Sequence, residues 1–119
     1  MAEIELLASV PVLNVADVTK SFDFYRERLG FGQDFAMPGY GGVSRDGMAL
    51  HLNAGETEFS ARPTCCRFHI RGVDALYAEL EPKGVVKPDE RLATMPHGLR
   101  QFSVLDLDGN RITFAEPVA

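Results

Sequence analysis

Residues 7–30, LASVPVLNVADVTKSFDFYRERLG, carry the pattern on which the rest of the chain is read. Residues 7–15 are β-rich and almost wholly apolar, which suits a strand covered on both faces. Pro11 interrupts that pattern: with no N–H to give to a ladder, it belongs on an edge strand or where pairing is irregular. Asp17 stands as an N-cap whose carboxylate can accept from the free amides of a first helical turn. Val18, Phe22, Tyr25 and Leu29 then recur four, three and four residues apart, one face of a helix, and Gly30 is its left-handed stop.

Three short strands follow. Residues 31–37 lead to a turn at Pro38-Gly39, and residues 40–44 to a second at Arg45-Asp46-Gly47. The Asp-Gly pair there is a strong hairpin signal. Residues 48–53 are the third strand, and residues 54–63 a polar loop ending at Pro63. The order then begins again. Residues 64–70, TCCRFHI, read as a strand, and Gly72 precedes a helix whose stripe is Val73, Leu76, Tyr77 and Leu80, ended by Pro82 to Gly84. Residues 85–87 are a candidate short strand, and a loop with Pro88 and Pro96 follows. LRQFSVLD and RITFAE pair around Leu107-Asp108-Gly109-Asn110, with Gly109 and Asn110 expected to supply positive φ.

The chain therefore reads as two βαβββ modules, residues 7–53 and 64–116, in one domain spanning 1–119. The fold class is α+β: a mostly antiparallel, curved sheet with a cleft and two outer helices. A sheet with helices on one side leaves its other face for a ligand or a second subunit to cover.

Composition narrows the function. In 119 residues, hydrophobic side chains make up 45% and charged ones 24%, ordinary for a globular protein. No apolar run approaches the ~20 residues of a membrane-spanning helix. The opening MAEIELLASV has two acids where an export signal has basic residues, so a cytoplasmic location is expected. The net charge of −5 disfavours nucleic acid, whose binding relies on neutralising phosphates. Cys65 and Cys66 are adjacent on a strand and point to opposite faces, so free thiols are expected.

Three segments carry a family resemblance: residues 10–35, VPVLNVADVTKSFDFYRERLGFGQDF; residues 66–80, CRFHIRGVDALYAEL; and residues 100–114, RQFSVLDLDGNRITF. Together they resemble the glyoxalase, bleomycin-resistance and extradiol-dioxygenase superfamily (the vicinal oxygen chelate fold), and within it the bleomycin-resistance branch. The resemblance implies paired βαβββ modules, a homodimer with an exchanged N-terminal strand, and clefts lined by concave sheet faces. In the enzymes of the superfamily those faces hold a divalent metal through His and Glu. The corresponding positions here are Val10, Cys65, Thr113 and His51. A hard divalent ion wants imidazole nitrogen and carboxylate oxygen from three or four residues, and this set does not supply them. The expectation is therefore no metal, no cofactor and no catalysis, with a bleomycin-family antibiotic bound and sequestered unaltered. The alternative is a metal-dependent glyoxalase- or dioxygenase-type enzyme of the same superfamily with displaced ligands.

Strand parity with the lost metal positions places His51, Cys65, Arg67 and His69 on the concave face. A histidine in a strand is more often an ordinary packed residue than a ligand contact. Arg67 and His69 together, however, do not suit a dry core. The bleomycin-resistance relatives stack tryptophans on the flat tail of the drug, and this chain has no Trp. The positions matching those aromatics are Arg67, His69 and His97, with Tyr40 keeping a ring; Tyr40, His51, Arg67, His69 and His97 are thus the candidate ligand-binding residues. Three other features read as structure. The glycines at 39, 41 and 42 precede a strand and so make no phosphate loop. Asp106 to Asn110 lacks the glycine and glutamate spacing of a calcium loop. Cys65 shows no sign of the activation a nucleophile needs.

Overall fold

The computed structural model describes residues 3–55 and 62–118. The first module consists of β1 (Val12–Asn14), α1 (Val18–Phe24), β2 (Gly32–Met37), β3 (Tyr40–Arg45) and β4 (Met48–Asn53). The second consists of β5 (Cys65–His69), α2 (Val73–Leu80), β6 (Ala93–Thr94), β7 (Leu99–Leu105) and β8 (Arg111–Pro117). Each forms its own four-stranded sheet, in the orders β1-β4-β3-β2 and β5-β8-β7-β6. In each, the strand before the helix pairs parallel to the last strand, and every other pairing is antiparallel. The α+β fold thus holds two four-stranded mixed sheets built to one repeated topology.

Local signals hold where a cap or turn fixes them. Asp17 accepts from the Lys20 amide at 3.0 Å. The α1 stripe of Val18, Phe22, Tyr25 and Leu29 is buried, and the helix continues through a wider π-type turn at Tyr25–Leu29 to Gly30 at φ 75°. Asp46 and Gly47 both take positive φ, 50° and 79°, the backbone of a tight hairpin. In α2, Val73 and Leu80 are buried while Leu76 and Tyr77 pack half-covered against the core. Cys65 and Cys66 are unbridged.

Three expectations are corrected. The first strand is only three residues long, and residues 3–11 lie outside any ladder. Ile4, Leu6 and Leu7 are 94%, 95% and 84% exposed, with no described residue covering them. Pro11 still contributes its carbonyl, which accepts from the His51 amide at 2.9 Å. Residues 85–87 make a single bridge, Val86 to Val104, instead of a strand, and the edge strand is Ala93–Thr94. Asn110 does not adopt positive φ; Gly109 alone does in that turn. Asn110 is instead fully buried and works through its side chain. Its Oδ1 accepts from the Thr64 amide at 2.7 Å, and its Nδ2 donates to the Asn14 carbonyl at 2.7 Å. Most of the loop expected at 54–63 lies outside the described residues.

The modules are tied by buried polar contacts as well as by one continuous apolar core. The Tyr25 hydroxyl donates to Asp106 Oδ2 at 2.8 Å, and Asp106 also accepts from the Asn110 side chain and from two turn amides. Burial and the neighbouring Asp106 charge push the Tyr25 pKa far up, so the hydroxyl stays a donor.

Candidate ligand-binding faces

The helix side of each sheet is apolar core, so alternation sends every second side chain to the opposite, open face. On the first sheet that face carries one row across all four strands: Val12 beside His51, His51 beside Gly42, and Gly42 beside Phe35. Gly42 has no side chain, and the Phe35 ring fills the space. A Cβ placed on Gly42 would lie 2.3 Å from Phe35 Cε1. Phe35, Tyr40 and His51 form a ring cluster. Phe35 and Tyr40 stack with centroids 6.2 Å apart, and His51 stands edge-on to both at 5.1 and 5.4 Å. The Tyr40 hydroxyl and His51 Nδ1 are 2.8 Å apart, so one hydrogen bond fixes the imidazole. Phe35 remains 36% exposed, a flat apolar surface open to a ligand.

The matching row on the second sheet runs Arg67, Thr113, Ser103. The Ser103 and Thr113 hydroxyls meet at 2.7 Å in a buried position, and Ser103 donates to Glu90 Oε1 at 2.9 Å. Residues 87 and 90 flank Ser103 through backbone bonds, which seats the Glu90 carboxylate beside the row. Lys87 and Arg111 pair with that carboxylate at 2.9 and 3.3 Å, and Lys87 also pairs with Asp89. Burial works against the charge on Glu90, yet Lys87, Ser103 and Arg111 together hold its carboxyl below the usual range. Among the described residues Arg67 has no acid partner; it donates to the Gln101 side-chain oxygen at 2.8 Å and stays exposed.

The five candidates therefore fall into two groups. Tyr40 and His51 touch each other on the first sheet. Arg67 and His69 share the open face of the second, and His97 sits at the exposed β6–β7 hairpin. Two cavities, one between the β3–β4 turn and the start of α2 and one beside Asn14 and Asp108, are lined by none of the five. Phe35 and Glu90 were not singled out in the sequence. The Gly41-Gly42 pair inside a strand was the available sign of a ring lying against the backbone there.

Val10, Cys65, Thr113 and His51 stand where the resemblance places metal ligands in the superfamily enzymes. Val10 is an exposed apolar residue, the Thr113 hydroxyl is held by Ser103, and His51 is engaged by Tyr40. Cys65 is exposed, whereas burial first and the Cys65 neighbour second push the Cys66 thiol up to about 11. Among the described residues, no three His, Cys, Asp or Glu side chains are grouped as metal ligands would be. The residues present do not fit a divalent ion at this place.

Paired βαβββ halves with open, oppositely furnished faces define a scaffold for holding small molecules. The glyoxalase superfamily protein family matches residues 1–119, and the chain belongs to that superfamily. It is 28% identical to a bleomycin resistance protein of Geobacillus stearothermophilus, over 95% of this chain and 98% of that one. The bleomycin-binding protein of Streptomyces verticillus, solved with copper(II)-bleomycin, superposes with a TM-score of 0.79 and 26% identity, covering 98% of this chain and 99% of that one. A glyoxalase-related enzyme from Clostridium phytofermentans shares the fold, with a TM-score of 0.77 at 23% identity over 97% and 98% of the two chains. No helix among the described residues is long and apolar enough to cross a membrane.

Proposed function

We propose that this chain binds and sequesters a bleomycin-family antibiotic without altering it, as a cytoplasmic single-domain protein with no cofactor. The carrying observation is the ring cluster of Phe35, Tyr40 and His51 on an open sheet face that lacks a set of metal donors. Flat rings held by packing and one hydrogen bond favour stacking on a flat heteroaromatic over covalent chemistry. The similarity to proteins named for bleomycin resistance and bleomycin binding supports the same reading. Tyr40 and His51 then serve as one wall of the site, and Arg67, His69 and His97 as the other.

In this proposal the two walls meet across a homodimer. The support is the arm at residues 3–11, whose exposed Ile4, Leu6 and Leu7 need a partner surface, and the two faces left open in one chain. Light scattering is expected to give a dimer; a well-folded monomer at micromolar concentration would overturn the exchanged arm.

Titration calorimetry with bleomycin tests the ligand. Drug at 100 times its dissociation constant should add about 2.7 kcal/mol of stability. Arg67→Ala sorts the charge requirement: tighter binding marks a cationic group beside Arg67, and much weaker binding an anionic one. No heat and no thermal protection at millimolar drug overturns the assignment. Elemental analysis finding about one Zn, Ni, Fe or Mn per chain, retained through a chelator wash, favours the metal-dependent enzyme instead.

A further inference from the structure

In the second sheet β8 lies between β5 and β7, so Arg67 on β5 and Gln101 on β7 are two strand spacings apart, about 9.5 Å. Yet Arg67 Nη1 donates to Gln101 Oε1 at 2.8 Å. The two side chains therefore reach towards each other over β8. The register shows where they cross: Arg67 stands beside Thr113, and Gln101 beside Ala115. Thr113 and Ala115 belong to the open side of β8 but are only 4% and 0% exposed, while Arg67 stays exposed. The arginine is thus laid across the sheet as a strap, not raised from it into water.

The strap keeps its charge. Its partner is a neutral amide, and a guanidinium has donors only, which fixes the amide with its oxygen towards Arg67. The Glu90 carboxylate on the same face is taken by Lys87, Ser103 and Arg111, at 2.9, 2.9 and 3.3 Å. A bond donated by a guanidinium lies in its plane and leaves its flat faces free to stack.

We propose that Gln101 is a positioning residue that holds Arg67 as a flat cationic stacking platform, and that this platform selects ligands whose flat ring is uncharged over those whose ring carries positive charge. A guanidinium over a ring face is attracted by the negative charge of that face and is repelled by a cationic ring. A lysine at the same place would keep the charge and lose the plane. The proposal rests on the sequestration reading, which makes this face a ligand wall, and adds the kind of ring that the wall accepts.

Two probes with one ring system test it in a near-neutral buffer: quinoline, uncharged there, and N-methylquinolinium, a fixed cation. The reporter is the Arg67 Nε–H signal of the ¹⁵N-arginine-labelled protein, assigned by its loss in Arg67→Lys. A ring stacked on the guanidinium shields that proton and moves it upfield, whereas a group bonded in the plane moves it downfield. Quinoline is expected to move it upfield, saturably in the millimolar range, with N-methylquinolinium about three-fold weaker or more. Backbone amide signals of β5 report the variants. Gln101→Leu and Arg67→Lys, with unchanged circular dichroism, should each weaken quinoline about three-fold. Gln101→Glu keeps the acceptor and adds a compensating charge, so it should hold quinoline at wild-type affinity while N-methylquinolinium rises to match it. The platform is overturned by a downfield shift, by an unmoved signal at about 20 mM quinoline, by equal binding of the cation in the wild type, or by full quinoline affinity in Gln101→Leu. Bleomycin calorimetry keeps the two readings apart. Heat in the wild type, with equal affinity in Gln101→Leu and Arg67→Lys, overturns the platform and leaves sequestration standing. No heat in the wild type overturns sequestration, and the quinoline shifts then decide the platform alone.

Discussion

Val12–His51–Gly42–Phe35 across the first sheet and Arg67–Thr113–Ser103 across the second occupy the same place in two copies of one topology. Their chemistry is opposite. Where the first sheet has glycine and a phenyl ring, the second has a serine hydroxyl and the Glu90 carboxylate. Backbone pairing is indifferent to which residue sits on the open face, because the ladder uses only N–H and C=O groups. The core side of each sheet is constrained by apolar packing, whereas the opposite side differs between the sheets: rings on the first, and on the second a buried Ser103–Thr113 pair beneath Glu90. The indifference of the ladder lets one repeated scaffold carry an aromatic wall and a charged wall.

The comparison breaks most sharply at two adjacent glycines of the first sheet. Gly41 faces the core, where a Cβ would lie 2.3 Å from Phe22 Cζ and 3.1 Å from Val18 Cγ1. Gly42 faces outward, beneath Phe35. Gly41→Ala should therefore cost about 3 kcal/mol, measured by urea denaturation, because buried Phe22 has nowhere to go. Gly42→Ala should leave stability nearly unchanged, since the displaced Phe35 ring is at the surface, while weakening bleomycin binding in calorimetry. Equal destabilisation by both would show that the open face is packed after all.

The next effect asks whether the two halves are held as one. Tyr25→Phe removes the donor that reaches from the first module to Asp106 in the second. A hydrogen bond to a buried carboxylate is worth about 1.5–3 kcal/mol, so a loss in that range, in a single transition, is expected. Two separated transitions would mean that the modules melt independently.

A smaller effect belongs to the charged wall alone. The Glu90 carboxyl is held low in the folded state, so its contribution to stability is full above its unfolded pKa of about 4.3 and is lost as pH falls through the folded value. Denaturation midpoints should be flat from neutrality down to about pH 5 and then decline. Glu90→Gln should cost about 1 kcal/mol at pH 7 and flatten part of that decline. An unchanged acid limb would remove Glu90 from the account.

The smallest effect lies on the aromatic wall. Tyr40→Phe keeps the ring and deletes the bond to His51. Stability should hold within about 0.5 kcal/mol and drug affinity should fall a few-fold, since the imidazole is no longer fixed. Unchanged affinity would show that His51 needs no positioning.

Most of the scaffold was legible in the sequence because its signals are local. Asp17 as a cap, the Val18–Leu29 stripe, the Asp46-Gly47 turn and the repeated order of elements each depend on neighbours within a few residues. The first strand was misjudged in extent because an apolar run tells nothing about where its partner is. Asn110 was misread for a related reason. Asparagine in a turn resembles a left-handed residue, while its actual work is to bond Thr64, 46 positions earlier, and Asn14, 96 positions earlier.

By itself the sequence determined the two βαβββ modules, their helices and turns, and which side chains leave the core through strand parity. Those follow from periodicity and from the backbone preferences of Asp, Gly and Pro. Only the tertiary structure decided what stands beside what on the open faces. Phe35 sits over Gly42 because two strands bring them into register, and Glu90 reaches Ser103 because residues 87–90 are folded along β7. Tyr40 meets His51, and Arg67 meets a neutral Gln101. Such pairings are non-local, and no propensity or spacing along the chain encodes the distance between two side chains on different strands.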